Sequence, residues 1–372
     1  MGFRVVNYRE EHKASVIDLA AQVWNIGKEN CKQLFEWKYT FNPFIPSEKY
    51  MFVSVDNDRV VGFRGFFPIK VLFNNVSVNC LCPCDAVVDR THRRKGIFLA
   101  MTLHAIKIAS VDPDISFFLN LSSNEKSTPG YLKLGWKEVE YGTFLFSKTI
   151  SGYLMGKVSE RKIYKVCRPL IKIIDKLVFK RGNIAEEEFF MVPASRQYDL
   201  IITNKFLSQE INKIHQPSID YGDEVLRSEY LKWRLQNPVQ DYVFGYLYDK
   251  YGKLVCYAIF LKITVGKYFL LDWYPSSGDK LPLLLRAFFR KTHFSDVKAW
   301  SFSRGDNKIE ILLKSGFYNP RFLLKFNSSF RPQKIVVRPT DVNLSKESWY
   351  FNGCNILDGK NWRVNAMDSD AY

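Results

Sequence analysis

Val87-Val88-Asp89-Arg90-Thr91-His92-Arg93-Arg94-Lys95-Gly96-Ile97-Phe98 is the most informative stretch of this chain. A strand-like run over residues 76–88 ends in two valines, a short basic loop turns, and a helical pattern runs from about 96 to 110. The N–H groups of a helix's first turn have no intrahelical partner, and the helix dipole places partial positive charge there. A strand–loop–helix junction of this kind is therefore an anion site. Gly96 lets the backbone approach a ligand closely, and Arg90, Arg93, Arg94 and Lys95 surround it with charge. A solvated basic loop is the plain alternative.

Upstream, residues 3–8 read as a strand, 10–23 as a helix, and about 30–40 as a second helix stopped by Asn42-Pro43. Residues 50–55 and 59–67 form a hairpin across Asp56-Asn57-Asp58, followed by strands at 69–73 and 76–88. Downstream, Ile115–Leu119 reads as a strand, 127–134 as a short helix ending at Gly135, and 136–147 as strands that close the lobe. Antiparallel hairpins followed by a strand–helix–strand unit predict a mixed sheet flanked by helices, an α/β (α+β mixed-sheet) lobe over residues 1–150.

Residues 185–335 repeat the order of that lobe. Trp37-Lys38 leads to Asn42-Pro43, and Trp233-Arg234 leads to Asn237-Pro238; strand pairs follow at 50–55 and 59–67, and at 242–247 and 253–263. Leu132-Lys133-Leu134-Gly135-Trp136 is matched by Leu313-Lys314-Ser315-Gly316-Phe317. Three matches in one order indicate an internal duplication. The second copy has no basic loop: Asp272-Trp273-Tyr274-Pro275-Ser276-Ser277-Gly278-Asp279-Lys280 stands there, and Asp272, Trp273 and Tyr274 are candidates to wall an acceptor groove between lobes. Between the copies, residues 151–184 form a basic linker whose 153–182 segment alternates Lys and Arg with Ile, Leu and Val. Packing between lobes is its expected role, with peripheral membrane contact the alternative. Residues 336–372 form a C-terminal extension, a strand plus tail.

The 372 residues suffice for two full cores, and the 47% hydrophobic and 25% charged fractions are those of a soluble globular protein. The net charge of +16 suits an anionic partner without choosing among nucleic acid, membrane and phosphorylated ligand. Nothing reads as a membrane span or an apolar leader, and seven irregularly spaced cysteines fit a reducing compartment, so a cytoplasmic location is expected. Cys80, Cys82 and Cys84 share one strand face, and burial is expected there rather than metal binding, for which a fourth ligand and a turn are missing.

The loop resembles the coenzyme A loop of the GCN5-related N-acetyltransferases (GNAT): Gln or Arg, two residues, Gly, one residue, then Gly or Ala. Arg93-Arg94-Lys95-Gly96-Ile97 follows that pattern, with Phe98 in place of the last small residue. Tyr131-Leu132-Lys133-Leu134-Gly135-Trp136 resembles the family's second signature, a Tyr, one residue, then Lys-Leu-Gly and an aromatic. The resemblance covers the first lobe well and the second as a degenerate copy. It implies a tandem GNAT-like fold, with an acetyl or other acyl-coenzyme A as co-substrate and no metal. It implies a pantetheine cleft between strands 80–88 and 115–119, and cofactor contacts at Ala86, Val87, Val88, Arg93, Arg94, Lys95, Gly96, Ile97, Phe98, Asn120 and Asn124.

The implied chemistry is direct acyl transfer to an amine of a small metabolite, an amino sugar being one candidate, with O-transfer open. Backbone N–H groups at 86–88 would polarise the thioester carbonyl and Tyr131 would protonate the departing thiolate. Asp85 is the candidate general base, ahead of His92, which sits among arginines; His104 is expected to be structural and Cys84 has no activating base beside it. Two other readings stand: an aminoacyl-tRNA-dependent transferase of the tandem-lobe cell-wall type, which usually lacks an intact coenzyme A loop, and a non-catalytic acyl-coenzyme A sensor or scaffold. A direct nucleic-acid role is disfavoured, because the basic loop has no recognition helix or aromatic ladder beside it.

Overall fold

The computed structural model describes residues 2–43, 47–122, 127–140, 144–147, 169–170, 173, 189–214, 224–275, 278–291, 296–301, 308–317, 335–364 and 366–369. Two mixed sheets dominate. The first has the order β1 (Arg4–Asn7), β2 (Met51–Asp56), β3 (Arg59–Phe73), β4 (Val76–Val88), β5 (Phe117–Asn120), β14 (Val336–Pro339), β6 (Lys137–Glu138). The second runs β7 (Phe144–Ser147), β13 (Asp296–Ser301), β12 (Lys267–Tyr274), β11 (Leu254–Thr264), β10 (Asp241–Asp249), β9 (Tyr198–Thr203), β8 (Phe189–Ser195). Each is antiparallel except for one parallel pair, β4 with β5 and β12 with β13.

The strands exchange between lobes. The sequence places 144–147 at the close of the first lobe, yet β7 pairs antiparallel with β13 of the second sheet. Conversely β14, from the C-terminal extension, lies between β5 and β6 of the first sheet and pairs with both. Each lobe thus receives a strand from beyond its own stretch of chain.

A second departure concerns Pro68. The sequence suggests a break near it, but β3 runs unbroken over Arg59–Phe73. The β2 ladder on β3 ends at Gly65, so the side where proline lacks its N–H carries no β2 partner. On the other side Pro68 stays in register with Leu81 of β4.

Helix α1 (Lys13–Trp24) buries Val16, Ile17, Leu19 and Ala20 on one stripe, the helical period read from the sequence. It packs with α2 (Lys28–Phe35) on one face of the first sheet; α3 (Ile97–Ala109) packs on the other, with α4 (Thr128–Lys133) placing Tyr131 in the same core layer. In the second lobe, α5 (Ser208–Ile214) and α6 (Glu224–Arg234) precede β10, while α7 (Leu281–Lys291) and α8 (Lys308–Lys314) follow β12 and β13. Among the described residues no helix is long and apolar enough to cross a membrane. The 153–182 segment lies outside the described residues except for positions 169, 170 and 173.

The inner faces of the two sheets share one core that contains Val16, Trp37 and Phe63 together with Leu231, Trp233 and Tyr257. At its centre the duplicated tryptophans meet. The Trp37 and Trp233 rings stack at 5.4 Å and 15°. Trp37 Nε1 donates to the Trp233 carbonyl at 2.9 Å, and Trp233 Nε1 donates to the Trp37 carbonyl at 2.7 Å. This reciprocal pair is the contact expected when two copies of one unit face each other across a local two-fold.

Candidate active site

β4 and β5 pair only at Cys80–Phe117 and Leu81–Phe118. Beyond Leu81, β4 continues to Val88 without a β5 partner, and β5 turns to β14 for its next ladder. The carboxyl ends of the two parallel strands therefore diverge, and α3 starts at the mouth of the opening. In the loop before it, Arg94 has φ +64° and Gly96 has φ +82°. A left-handed residue in such a turn aims successive N–H groups into one concavity. A Cβ built on Gly96 meets nothing within 4 Å, so no other part of the chain covers the turn at that point. Arg90, Arg93, Arg94 and Lys95 are all exposed around it, and Arg93 Nε reaches the Val88 carbonyl at 3.4 Å. Ile97 is buried against Val61 and Met101; Phe98 is half-buried.

Asp89 anchors this loop. Its carboxylate accepts from the Thr91 backbone N–H at 2.9 Å, the Thr91 hydroxyl at 2.7 Å and Arg59 at 2.6 Å. The Thr91 hydrogen bonds hold the Asp89 carboxyl below its ordinary value, with Arg59 and His92 adding to them against the effect of burial. The unfolded chain then binds more protons in that window, so the stability Asp89 supplies is present above the unfolded value near pH ~4 and is lost as pH falls through the folded one. Asp89→Asn is expected to lower the melting temperature at pH 7 and to lose less than the wild type on acidification below pH ~4, as read by thermal denaturation across pH. His92 is tied into the same loop, its Nε2 lying 3.1 Å from Asp56 Oδ2. His104 contacts the Asn7 side chain at 2.9 Å, and burial lowers its pKa.

Asp85 sits in a bulge. Arg64 pairs with Ala86 and Phe66 with Pro83, so Cys84 and Asp85 together oppose Gly65. Asp85 has φ +26°, a strained value for a residue with a side chain. Lys38 Nζ donates to Asp85 Oδ1 at 2.9 Å and the Tyr39 hydroxyl to Oδ2 at 2.8 Å. Tyr39 also lies 3.1 Å from Cys84 Sγ. A Cβ on Gly65 would stand 1.8 Å from the Tyr39 hydroxyl oxygen, so only glycine admits this approach. Cys80, Cys82 and Cys84 are buried on one face of β4. Among the described residues no group of three or more His, Cys, Asp or Glu side chains is placed to hold a metal ion.

Tyr131, on α4, is 3% exposed and packs edge-on against Phe98. Its hydroxyl accepts a hydrogen bond from Arg64 at 2.5 Å. Of the other residues singled out by sequence, Ala86 is exposed, Val87 buried and Val88 half-buried in the ladder with β3. Asn120 is buried, and its side-chain oxygen accepts from the Ser122 N–H at 2.9 Å, shaping the turn after β5. Asn124 lies outside the described residues. The structure thus gathers the 93–98 turn, the β4 bulge and Tyr131 around the diverging strands. It adds three residues the sequence reading passed over: Lys38, Tyr39 and Arg64. Only Arg64 carried a signal, a charge inside the apolar run Gly62-Phe63-Arg64-Gly65-Phe66-Phe67.

Residues 4–139 match a family model described as an acetyltransferase (GNAT) domain. Over the whole chain, two solved structures are similar in fold. One is a GCN5-related N-acetyltransferase from Anabaena variabilis, 12% identical with a TM-score of 0.52, covering 92% of this chain and 74% of that one. The other is a conserved protein of unknown function from Enterococcus faecalis, a probable N-acyltransferase, 11% identical with a TM-score of 0.54, covering 92% of this chain and 73% of that one. No sequence among the curated proteins matches. Both lobes therefore have the GNAT-like α/β fold, and the diverging β4 and β5 are the central splay of the first.

The second GNAT-like lobe has the same frame with different contents. Its ladder shifts at the matching place, where Ile259 pairs with Asp272 and Phe260 with Leu270. Aligned on that bulge, Asp272 stands for Asp85, Trp273 for Ala86 and Ala258 for Arg64. The repeated motif sets Leu312 against Tyr131. Gly278 has φ +66°, but the space over its Cβ position is filled by Ile311, at 2.4 Å. The residues expected to wall a groove are enclosed: Asp272 and Trp273 are buried, and Tyr274 is half-buried and stacked on Tyr257. β12 and β13 pair as far as Leu270 and Ala299, and the C-terminal turn Ala366–Asp368 packs against both strands.

Proposed function

We propose that the protein is an acyl-coenzyme A-dependent acyltransferase whose first lobe holds the thioester and whose second lobe is a degenerate, non-binding copy. The observation that carries the reading is the open, doubly left-handed turn at Arg94 and Gly96, set at the start of α3 beside the splay. The diphosphate would rest on the N–H groups of that turn with Arg93, Arg94 and Lys95 as counter-charges, and the pantetheine arm would run between β4 and β5. Its fold relatives include a named N-acetyltransferase, which agrees with this reading. Among the described residues the second lobe offers no such open turn: Ile311 stands over Gly278, and the Ala366–Asp368 segment packs on β12 and β13.

In this reading an amine of a small metabolite, with an amino sugar among the candidates, attacks the thioester carbonyl, which is polarised by N–H groups of Ala86–Val88. Tyr131 gives its proton to the leaving sulfur. Asp85, at the bulge, takes the proton from the amine through the carboxylate that Lys38 and Tyr39 hold in place. Acetyl-coenzyme A is the simplest donor. Calorimetric titration with acetyl-coenzyme A tests the proposal. Saturable binding is expected for the wild type, weakened at least ~10-fold in an Arg93→Ala, Gly96→Asp double variant, which removes a counter-charge and sets a carboxylate on a left-handed residue. A folded wild type that binds neither acetyl- nor longer acyl-coenzyme A would refute it.

A further inference from the structure

Arg64 is the most conspicuous group that the mechanism above does not use. Its side chain is 1% exposed, yet it has no carboxylate partner among the described residues. Burying a cation without a counter-ion is costly, and such groups are retained at sites of function far more readily than in plain cores. Its guanidinium makes two hydrogen bonds: one amino group donates to the Cys84 carbonyl at 2.7 Å, the other to the Tyr131 hydroxyl at 2.5 Å. Its Nε is buried with no acceptor. The rings of Phe66, Phe98 and Tyr131 lie 4.7, 5.1 and 5.4 Å from the guanidinium carbon, and their faces supply the remaining attraction. The cation therefore bridges the β4 bulge and the tyrosine of α4, the two sides between which the thioester would lie. In the second lobe Ala258 and Leu312 stand at these two places, so cation and hydroxyl are absent together.

We propose that Arg64 is a positioning residue for the leaving group, and that with Tyr131 it forms a site for the coenzyme A thiolate. This rests on the proposed acyl transfer. By donating to the Tyr131 oxygen, Arg64 occupies one of its lone pairs and turns the phenolic hydrogen away from itself, toward the sulfur. When the tetrahedral adduct collapses, the C–S bond breaks and its electron pair goes to sulfur. The Tyr131 O–H donates to that sulfur and holds it as thiolate, and on release the Tyr131 proton passes to the sulfur as solvent replaces it, so coenzyme A leaves as thiol and no phenolate accumulates. The proton released by the amine leaves through the base. Burial raises the Tyr131 phenol and the adjacent Arg64 charge pulls it back only in part, so Tyr131 stays protonated at neutral pH and able to donate to the thiolate.

The test uses free coenzyme A and so needs no acceptor. The thiol of bound coenzyme A is titrated by the ultraviolet absorbance of its thiolate, in the intact chain and in Arg64→Gln, Arg64→Lys and Tyr131→Phe, with acetyl-coenzyme A affinity and melting temperature measured alongside. In the wild type the bound thiol is expected to ionise about one unit or more below free coenzyme A, a tenfold preference for thiolate. That preference should fall below about threefold in Arg64→Gln, be partly kept by Arg64→Lys, and vanish in Tyr131→Phe, where the cation has no hydroxyl to act through. A lowered thiol that survives either Arg64→Gln or Tyr131→Phe, or no lowering in a wild type that binds coenzyme A, overturns the assignment of Arg64. A wild type that binds no coenzyme A overturns the acyltransfer reading itself. Should Arg64→Gln not fold, the Tyr131→Phe and Arg64→Lys titrations still decide.

Discussion

Tyr131→Phe is expected to lower kcat for acyl transfer by about 100-fold or more, with acetyl-coenzyme A affinity changed by less than about threefold. The asymmetry follows from where the hydroxyl sits. Most of the tyrosine's area packs against Phe98 and Trp136, and phenylalanine preserves that packing. The one lost atom is the oxygen that accepts from Arg64 and would donate to sulfur. An interaction made only as the C–S bond breaks appears in kcat and not in ground-state binding. The variant also strands a second buried Arg64 donor, so a stability loss of about 1–3 kcal/mol is expected beside the kinetic effect. Pre-steady-state measurement of the transfer step, compared with calorimetric affinity, separates the two. A kcat within about threefold of the wild type would remove Tyr131 from the chemistry and leave protonation of the sulfur to solvent or another group.

How much of this was readable beforehand depends on the range of the interactions involved. The turn at 93–98 was legible because an anion-binding junction is local: strand end, basic loop, glycine and helix start all fall within twelve consecutive residues. The duplication was legible through Trp37 and Trp233, although nothing in either motif announces that the two rings stack on each other. Partner choice among short strands was not legible. Residues 137–138, 144–147 and 336–339 each have too few residues for a pattern that names a sheet, and their pairing is set by tertiary geometry. The Arg64–Tyr131 contact spans 67 positions and depends on a β-bulge that turns Cys84 and Asp85 out of register, which no periodicity encodes. Pro68 misled for a related reason: a proline breaks a strand only where its missing N–H is needed, and that depends on the neighbour.

The strand exchange carries the largest structural consequence. Residues 1–150, expressed alone, are expected not to reach a stable fold, despite containing the whole stretch that matches the acetyltransferase model. Without β14, the seam between β5 and β6 opens, since β6 and one side of β5 find their ladder through Val336–Pro339. The side of β5 so exposed is the edge opposite the splay, and with it goes Val336, which shares one buried cluster with Phe118, Trp136 and Tyr131. The fragment would also keep β7 without its β13 partner, and would expose Trp37, whose indole N–H and ring are both satisfied by Trp233. An unpaired edge and an uncovered aromatic face promote association rather than folding. Adding β14 back as a separate peptide cannot substitute at low concentration for a strand delivered by the same chain. In the intact protein the same coupling should make both lobes unfold in one cooperative transition, so that Trp233→Ala, in the second lobe, lowers the stability of the first by about 3–5 kcal/mol. Hydrogen exchange resolved to β4 and β11 measures this directly: parallel loss of protection in both strands is the expected outcome, and loss confined to β11 would show that each lobe stands on its own.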